Sequence, residues 1–206
     1  RISIASIEQQ LAELVVTWSD RLRAELVERF GPDDGEVYFR SYGRIFPAGY
    51  EEDTSPGSAC SDIATIDDMV RDGVERSVDL YEADNLGPGD MRFIVYSLDN
   101  PIALSDALPL LEAMGTQVYT EHPYEAMLDT GRMIWIQDFH LRHESDEQID
   151  VERVADRFED CFMAVLTGEA ENDGLNRLIV GAGLDWLEIT LLRCYAKHIQ
   201  QLGLPF

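Results

Sequence analysis

RFIVYSLDNPIALSDALPLLEAMGTQVYTEHPYEAM, residues 92–127, decides the fold of this 206-residue chain. Arg92-Phe93-Ile94-Val95-Tyr96 is rich in β-branched and aromatic residues and predicts a strand. Ser105 is placed to cap a helix running through Leu108, Leu111 and Met114, with Gly115 after it and Pro109 in the first turn, where a missing N–H is tolerated. The pattern then returns to strand over Gln117–Met127. A period-two run, a 3.6-period run and another period-two run within 36 residues predict mixed α and β structure.

Working outward, Val78-Asp79-Leu80-Tyr81 predicts a strand joined to 92–96 around Gly87-Pro88-Gly89. Asp129-Thr130-Gly131 turns the chain into a further strand at Met133–Leu141, and a helix follows at about Val151–Leu166. The order strand, strand, helix, strand, strand, helix predicts an α+β domain over 74–168, a mainly antiparallel four-stranded sheet with helices on one face.

Both flanks are helical. In 1–73, Ile7, Leu11, Leu14, Val15, Trp18, Leu22, Leu26 and Phe30 form a stripe ended by Gly31. Tyr38, Phe39, Tyr42 and Phe46 predict a second helix closed by Pro47, and Ser55-Pro56 starts a third that buries Ile63, Ile66, Met69 and Val70 and stops at Gly73. In 169–206 two helices meet at a glycine turn. Asp185 and Glu188 make a capping box for the second, whose apolar positions are Trp186, Ile189, Leu192, Tyr195, Ala196, Ile199 and Leu202, with Gly203 and Pro205 ending it.

Charge excludes several function classes. Forty acidic residues stand against sixteen basic ones, a net charge of −24, so nucleic acid and anionic membrane are not expected partners. Cys60, Cys161 and Cys194 have no metal or disulfide spacing, which predicts a reducing, cytoplasmic setting. An opening Arg1 and a last helix close to Phe206 suggest a piece of a longer polypeptide.

Local motifs point to little chemistry. Leu178-Ile179-Val180-Gly181-Ala182-Gly183 imitates a dinucleotide-binding turn, but Trp186 occupies the third glycine position, and no nucleotide site is assigned. The C-terminal helical pair resembles a DNA reader only in outline, since its second helix carries just Arg193 and Lys197. His140 and His143 beside Asp138 and Glu144 are read as a polar rim, not a metal site, and Glu169, Glu171 and Asp173 as capping and solvating groups.

Five blocks, in order, carry a family resemblance: ERFGPDDGEVYFRSYGRIFPAGYEED (28–53), SPGSACSDIATID (55–67), PIALSDALPLLEAMGTQVYTEHPYE (101–125), MIWIQDFHL (133–141) and RFEDCFMAVLTGEAENDGLNRLIVGAGLDWLEITLLRCYAKHIQQLGLPF (157–206). Together they resemble the large-type bacterial NAD-specific glutamate dehydrogenases, in the N-terminal half just before the catalytic domain. The resemblance implies an ACT-like module at 74–168 and a parent enzyme that oxidatively deaminates L-glutamate with NAD. It implies other domains of the same polypeptide as partners and a homo-oligomer.

Catalytic residues of that family include lysines in glycine-rich surroundings. Lys197, the one lysine here, has no such setting, so catalytic, cofactor-binding and metal residues are expected to be none in this stretch. ACT-like modules often bind amino acids where a strand meets the following helix. The matching positions are Asp99, Asn100, Ile102, Ala103, Leu104 and Ser105, whose backbone N–H groups can hold a carboxylate while Asp99 or Asn100 holds an ammonium. The expected function is a non-catalytic regulatory or assembly region. The alternatives are an independent amino-acid sensor and an acidic adaptor for a basic partner.

Overall fold

A computed structural model describes residues 16–82, 87, 89–143 and 149–202. The elements in chain order are α1 (Trp18–Phe30), α2 (Pro32–Tyr42), α3 (Ala48–Asp53), α4 (Pro56–Asp72), β1 (Arg76–Tyr81), β2 (Asp90–Leu98), α5 (Leu104–Ala113), β3 (Thr116–Met127), β4 (Met133–His143), α6 (Val151–Leu166), a 3-10 turn (Gly174–Arg177), α7 (Leu178–Ala182) and α8 (Trp186–Gln201). The four strands form one antiparallel sheet in the order β1-β2-β4-β3, the α+β architecture that the alternating periodicities predict. The chain divides into two compact units, one of residues up to Glu75 with Tyr124–Trp135, the other of Arg76–Pro123 with Ile136 onward.

In the first unit, local signals set the helix ends. Thr17 and Asp20 form a reciprocal capping box that starts α1 at Trp18, and Ile7, Leu11, Leu14 and Val15 of the expected stripe lie outside the described residues. Gly31, at φ 88°, ends α1 and admits Pro32 as the first residue of α2. Gly35 is buried where α2 crosses α1, and a Cβ there would meet the Leu26 carbonyl oxygen at 2.6 Å. Ser55 caps α4, which Pro56 opens and Gly73 closes.

The expected second helix needs correcting. It stops at Tyr42, and Phe46 lies beyond it, followed by α3, which apolar periodicity did not mark. The reason is packing at a turn: Phe46 stacks on Tyr50 with centroids 4.3 Å apart, and Trp18 meets both rings edge-on. Tyr50 is fully buried and donates its hydroxyl to Asp62, and the Tyr124 hydroxyl donates to Asp53 at 2.8 Å.

In the second unit β1 pairs with β2 so that Val78 faces Val95 and Leu80 faces Phe93. Phe93, Val95, Phe139 and Leu141 of the sheet share one core with Leu111 and Met114 from the α5 side and Phe158 and Phe162 of α6. Phe93 meets Phe158 and Phe162 edge-on at 5.4 and 4.8 Å. Burying such side chains stabilises by roughly 1.5–3 kcal/mol each. Glu159 of α6 accepts the Leu80 N–H at 2.8 Å and so occupies a donor of edge strand β1.

Two expectations for α5 fail. Its N-cap is Ala103, with no side-chain cap, and Ser105 lies inside the first turn, its hydroxyl turned to Asp106 at 3.4 Å. Pro109 is therefore in the helix interior, where its ring nitrogen offers no proton to the Ser105 carbonyl. The helix starts early because Ile102, just before it, is pinned by Gln137.

Candidate functional site

The strand–helix junction at 99–105 is built around one turn residue and one buried amide. Asp99 adopts φ 67°, a left-handed conformation that aspartate tolerates better than most residues, and lets β2 turn toward α5. The Asn100 N–H donates to the Leu98 carbonyl at 2.9 Å. Asp99, Asn100, Ala103, Leu104 and Ser105 are exposed, whereas Ile102 is buried.

Gln137 of β4 completes the junction. Its Oε1 accepts the Ile102 N–H at 2.8 Å, and its Nε2 donates to the Ile102 carbonyl at 3.0 Å and to Glu121 at 3.3 Å. Gln137 is 3% exposed. A buried amide that satisfies both polar groups of one residue removes a donor and an acceptor that a bound amino acid would otherwise use. The first turn of α5 has no side-chain cap, and the Asp106 and Ala107 N–H groups donate to the Ala103 carbonyl at 2.9 and 3.0 Å. Nothing local in the sequence marks Gln137, which lies 35 residues from Ile102.

The polar residues of β4 separate. Asp138 pairs with Arg92, and burial pushes its carboxyl above the ordinary range while Arg92, His122 and His140 pull the other way. His140 lies 3.5 Å from Asp90. The Arg142 guanidinium, hydrogen-bonded to Asp90 through Nε at 2.7 Å and Nη2 at 3.3 Å, holds the Asp90 carboxyl below its usual range. His143 instead lines a cavity of about 410 Å³ with Asp150, Arg153 and Gly181–Gly183. Glu144 lies outside the described residues. Leu178–Ala182 is helical, not a strand, so the imitation of a dinucleotide turn is one of letters alone.

The C-terminal stretch turns on a residue that sequence reading set aside. Arg193 is 4% exposed. Its Nε and Nη2 grip Asp173 at 2.6 and 3.1 Å, and Nη2 also donates to Asn176 at 2.9 Å and to the Glu171 carbonyl at 3.3 Å. Asp173 caps the 3-10 turn through the Leu175 N–H at 2.9 Å. Lys197, exposed, pairs with Glu171 at 2.5 and 2.8 Å. Cys60 and Cys161 are buried, and burial pushes both thiols up to about 11; Cys194 is exposed.

Residues 75–154 match the glutamate dehydrogenase ACT3 domain, 25–69 its helical motif 2 and 170–206 its helical motif 3. The chain belongs to the NAD-specific glutamate dehydrogenase family. It is 33% identical over 199 residues to the NAD-specific glutamate dehydrogenase of Halomonas elongata, covering 97% of this chain and 12% of that protein. The Pseudomonas aeruginosa enzyme of the same name is 31% identical over 205 residues, 100% of this chain and 13% of its own length. That of Mycobacterium tuberculosis is 30% identical over 205 residues, 97% and 12%. The chain thus spans about an eighth of the glutamate dehydrogenases it matches. No described helix is long and apolar enough to cross a membrane.

Proposed function

We propose that this chain is a non-catalytic regulatory or assembly region of a cytoplasmic, oligomeric NAD-dependent glutamate dehydrogenase. The parent polypeptide converts L-glutamate, NAD and water to 2-oxoglutarate, ammonium and NADH. The observation that carries the reading is the state of Lys197. Amino-acid dehydrogenation needs cations to clamp carboxylates beside a bound nicotinamide. The single lysine of this chain is instead an exposed side chain on α8, ion-paired with Glu171. Reduction of NAD by L-glutamate, followed through NADH absorbance, is expected from the longer polypeptide and not from residues 1–206 alone. Turnover by residues 1–206 would overturn the proposal.

The uncapped start of α5 and the left-handed Asp99 favour a second reading, an amino-acid effector site at Asp99–Ser105. Thermal unfolding against a panel of amino acids tests it. A ligand at about 100 times its Kd adds roughly 2.7 kcal/mol, and no shift with any amino acid sinks it.

A further inference from the structure

Helix α8 is apolar on two opposite sides. One side packs into the core of its unit through Ile189, with the buried Arg193 one turn on. Leu187, Leu191, Tyr195 and Leu202 recur four, eight and fifteen residues along, which places them on one stripe roughly half a turn round from Ile189 and Arg193. They are 60%, 57%, 61% and 62% exposed. A surface helix ordinarily presents its charged face to water, and an apolar stripe of this kind marks a contact surface.

We infer that this stripe is the docking face for another amphipathic helical segment of the same polypeptide, outside residues 1–206. The inference rests on the proposal that the chain is part of a larger glutamate dehydrogenase. Size argues against a second copy of this chain as occupant. A stable dimer engages about 20–30 residues a side, and one stripe on a 16-residue helix falls far short. Charge argues the same way, because two chains of −24 repel each other. A tethered segment arrives at an effective concentration near millimolar and needs no such area. The similar proteins have about seven-eighths of their length outside the matched region, ample to supply it. Glu188 is the one carboxylate on the helix itself, and Arg193 and Lys197 are matched by Asp173 and Glu171, so this face carries little of the chain's negative charge and suits a largely apolar segment.

Two reporters lie on α8: the exposed thiol of Cys194, which falls beside Leu187 and Leu191 on the stripe, and the amine of Lys197, the one lysine in the 206 residues, roughly a third of a turn round from the stripe on the side that meets Glu171. In the native full polypeptide, maleimide labelling of Cys194, mapped by peptide mass spectrometry, is expected to be at least tenfold slower than in the denatured polypeptide. Leu187→Glu with Leu191→Glu is expected to restore fast labelling. The wild-type measurement stands even if that variant does not fold. Amine cross-linking of Lys197 in a mixture of light and heavy isotope chains is expected to join it to a peptide outside 1–206 of the same isotope.

Fast labelling of native Cys194 would overturn the inference. So would cross-links of mixed isotope, which identify another chain as the occupant. Glutamate-dependent NAD reduction by the same preparation separates the two ideas. An active polypeptide with an open Cys194 refutes the docking face and leaves the proposed function standing, whereas an inactive one refutes that function.

Discussion

Arg193 holds Asp173 in a two-pronged grip, Nε to Oδ2 at 2.6 Å and Nη2 to Oδ1 at 3.1 Å, and so ties α8 to the turn that precedes it. A planar guanidinium suits this geometry, and an ammonium cannot copy it. Arg193→Ala removes the donor to Asp173, Asn176 and the Glu171 carbonyl at once. The expected loss is about 2–3 kcal/mol in urea unfolding, with Arg193→Lys recovering only part. The pH dependence has a definite sign. Hydrogen bonding from Arg193, then from the Leu175 N–H, holds the Asp173 carboxyl below its usual range. Its stabilisation is complete above the unfolded value of about 3.9 and disappears as pH falls through the lower folded value. Wild type and Arg193→Ala should differ most near neutral pH, and the share of the difference that comes from Asp173 should shrink as pH falls below about 3.9 through the lower folded value, while the loss at Asn176 and the Glu171 carbonyl remains.

Gln137 predicts a loss of another kind. Gln137→Leu keeps most of the volume but strands the buried N–H and carbonyl of Ile102. Each unsatisfied group costs about 1–3 kcal/mol. The denaturation midpoint should fall accordingly without any change in slope. Gln137→Glu should be no better, because its carboxylate faces both the Ile102 carbonyl and Glu121. A Gln137→Leu protein as stable as wild type would show that this amide does not hold the junction.

Asp99 separates backbone from ligand. Its φ of 67° costs an ordinary residue about 1–2 kcal/mol, and glycine nothing. Asp99→Gly and Asp99→Ala both lose the side chain, so Asp99→Gly should be the more stable of the two by about 1–2 kcal/mol. If Asp99 also holds an ammonium, any amino-acid-induced rise in melting temperature seen with wild type should vanish in Asp99→Gly. A rise retained by that variant removes Asp99 from the effector site.

What the sequence made legible was local. Thr17 was not singled out, but Ser55-Pro56, Gly73 and the Asp185–Glu188 box are caps within four residues of their targets, and each sits where the spacing places it. The strands are legible from runs of β-branched and aromatic residues bounded by turn residues, not from alternation, since β2 is buried along almost its whole length. Helix α8 was only half legible. Its apolar residues satisfy two opposite faces: periodicity alone puts Ile189, Leu192, Tyr195 and Leu202 on one buried side, whereas the fold buries Ile189 as expected but sets Arg193 beside it and leaves the other three in water. An arginine enters a core only when its partners are supplied, and Asp173 and Asn176 lie 20 and 17 residues away. Gln137 was hidden for the same reason: a polar residue in an apolar strand shows that a partner exists but not which one. Ser105 misled because it is a better cap than Ala103 by intrinsic preference, and the clamp on Ile102 outweighed that preference.

Two glycines in the first unit make a matched test of close approach. Gly35 lets α2 cross α1 at backbone contact: an added Cβ would lie 2.6 Å from both the Leu26 carbonyl oxygen and the Val27 Cα. Backbone atoms of a helix cannot swing aside as a side-chain tip can. Gly35→Ala must therefore push the two helices apart and loosen the packing around Leu22 and Leu26, both fully buried. Overpacking of this kind costs about 1–3 kcal/mol. Gly49, in the short helix α3, has nothing within 4 Å of the same added atom. Gly49→Ala lowers the entropy of the unfolded chain and should stabilise by about 0.4–1 kcal/mol. Opposite signs in thermal unfolding are the expected result. A Gly35→Ala protein that melts at or above the wild-type temperature would mean that α1 and α2 do not approach at Gly35 as described.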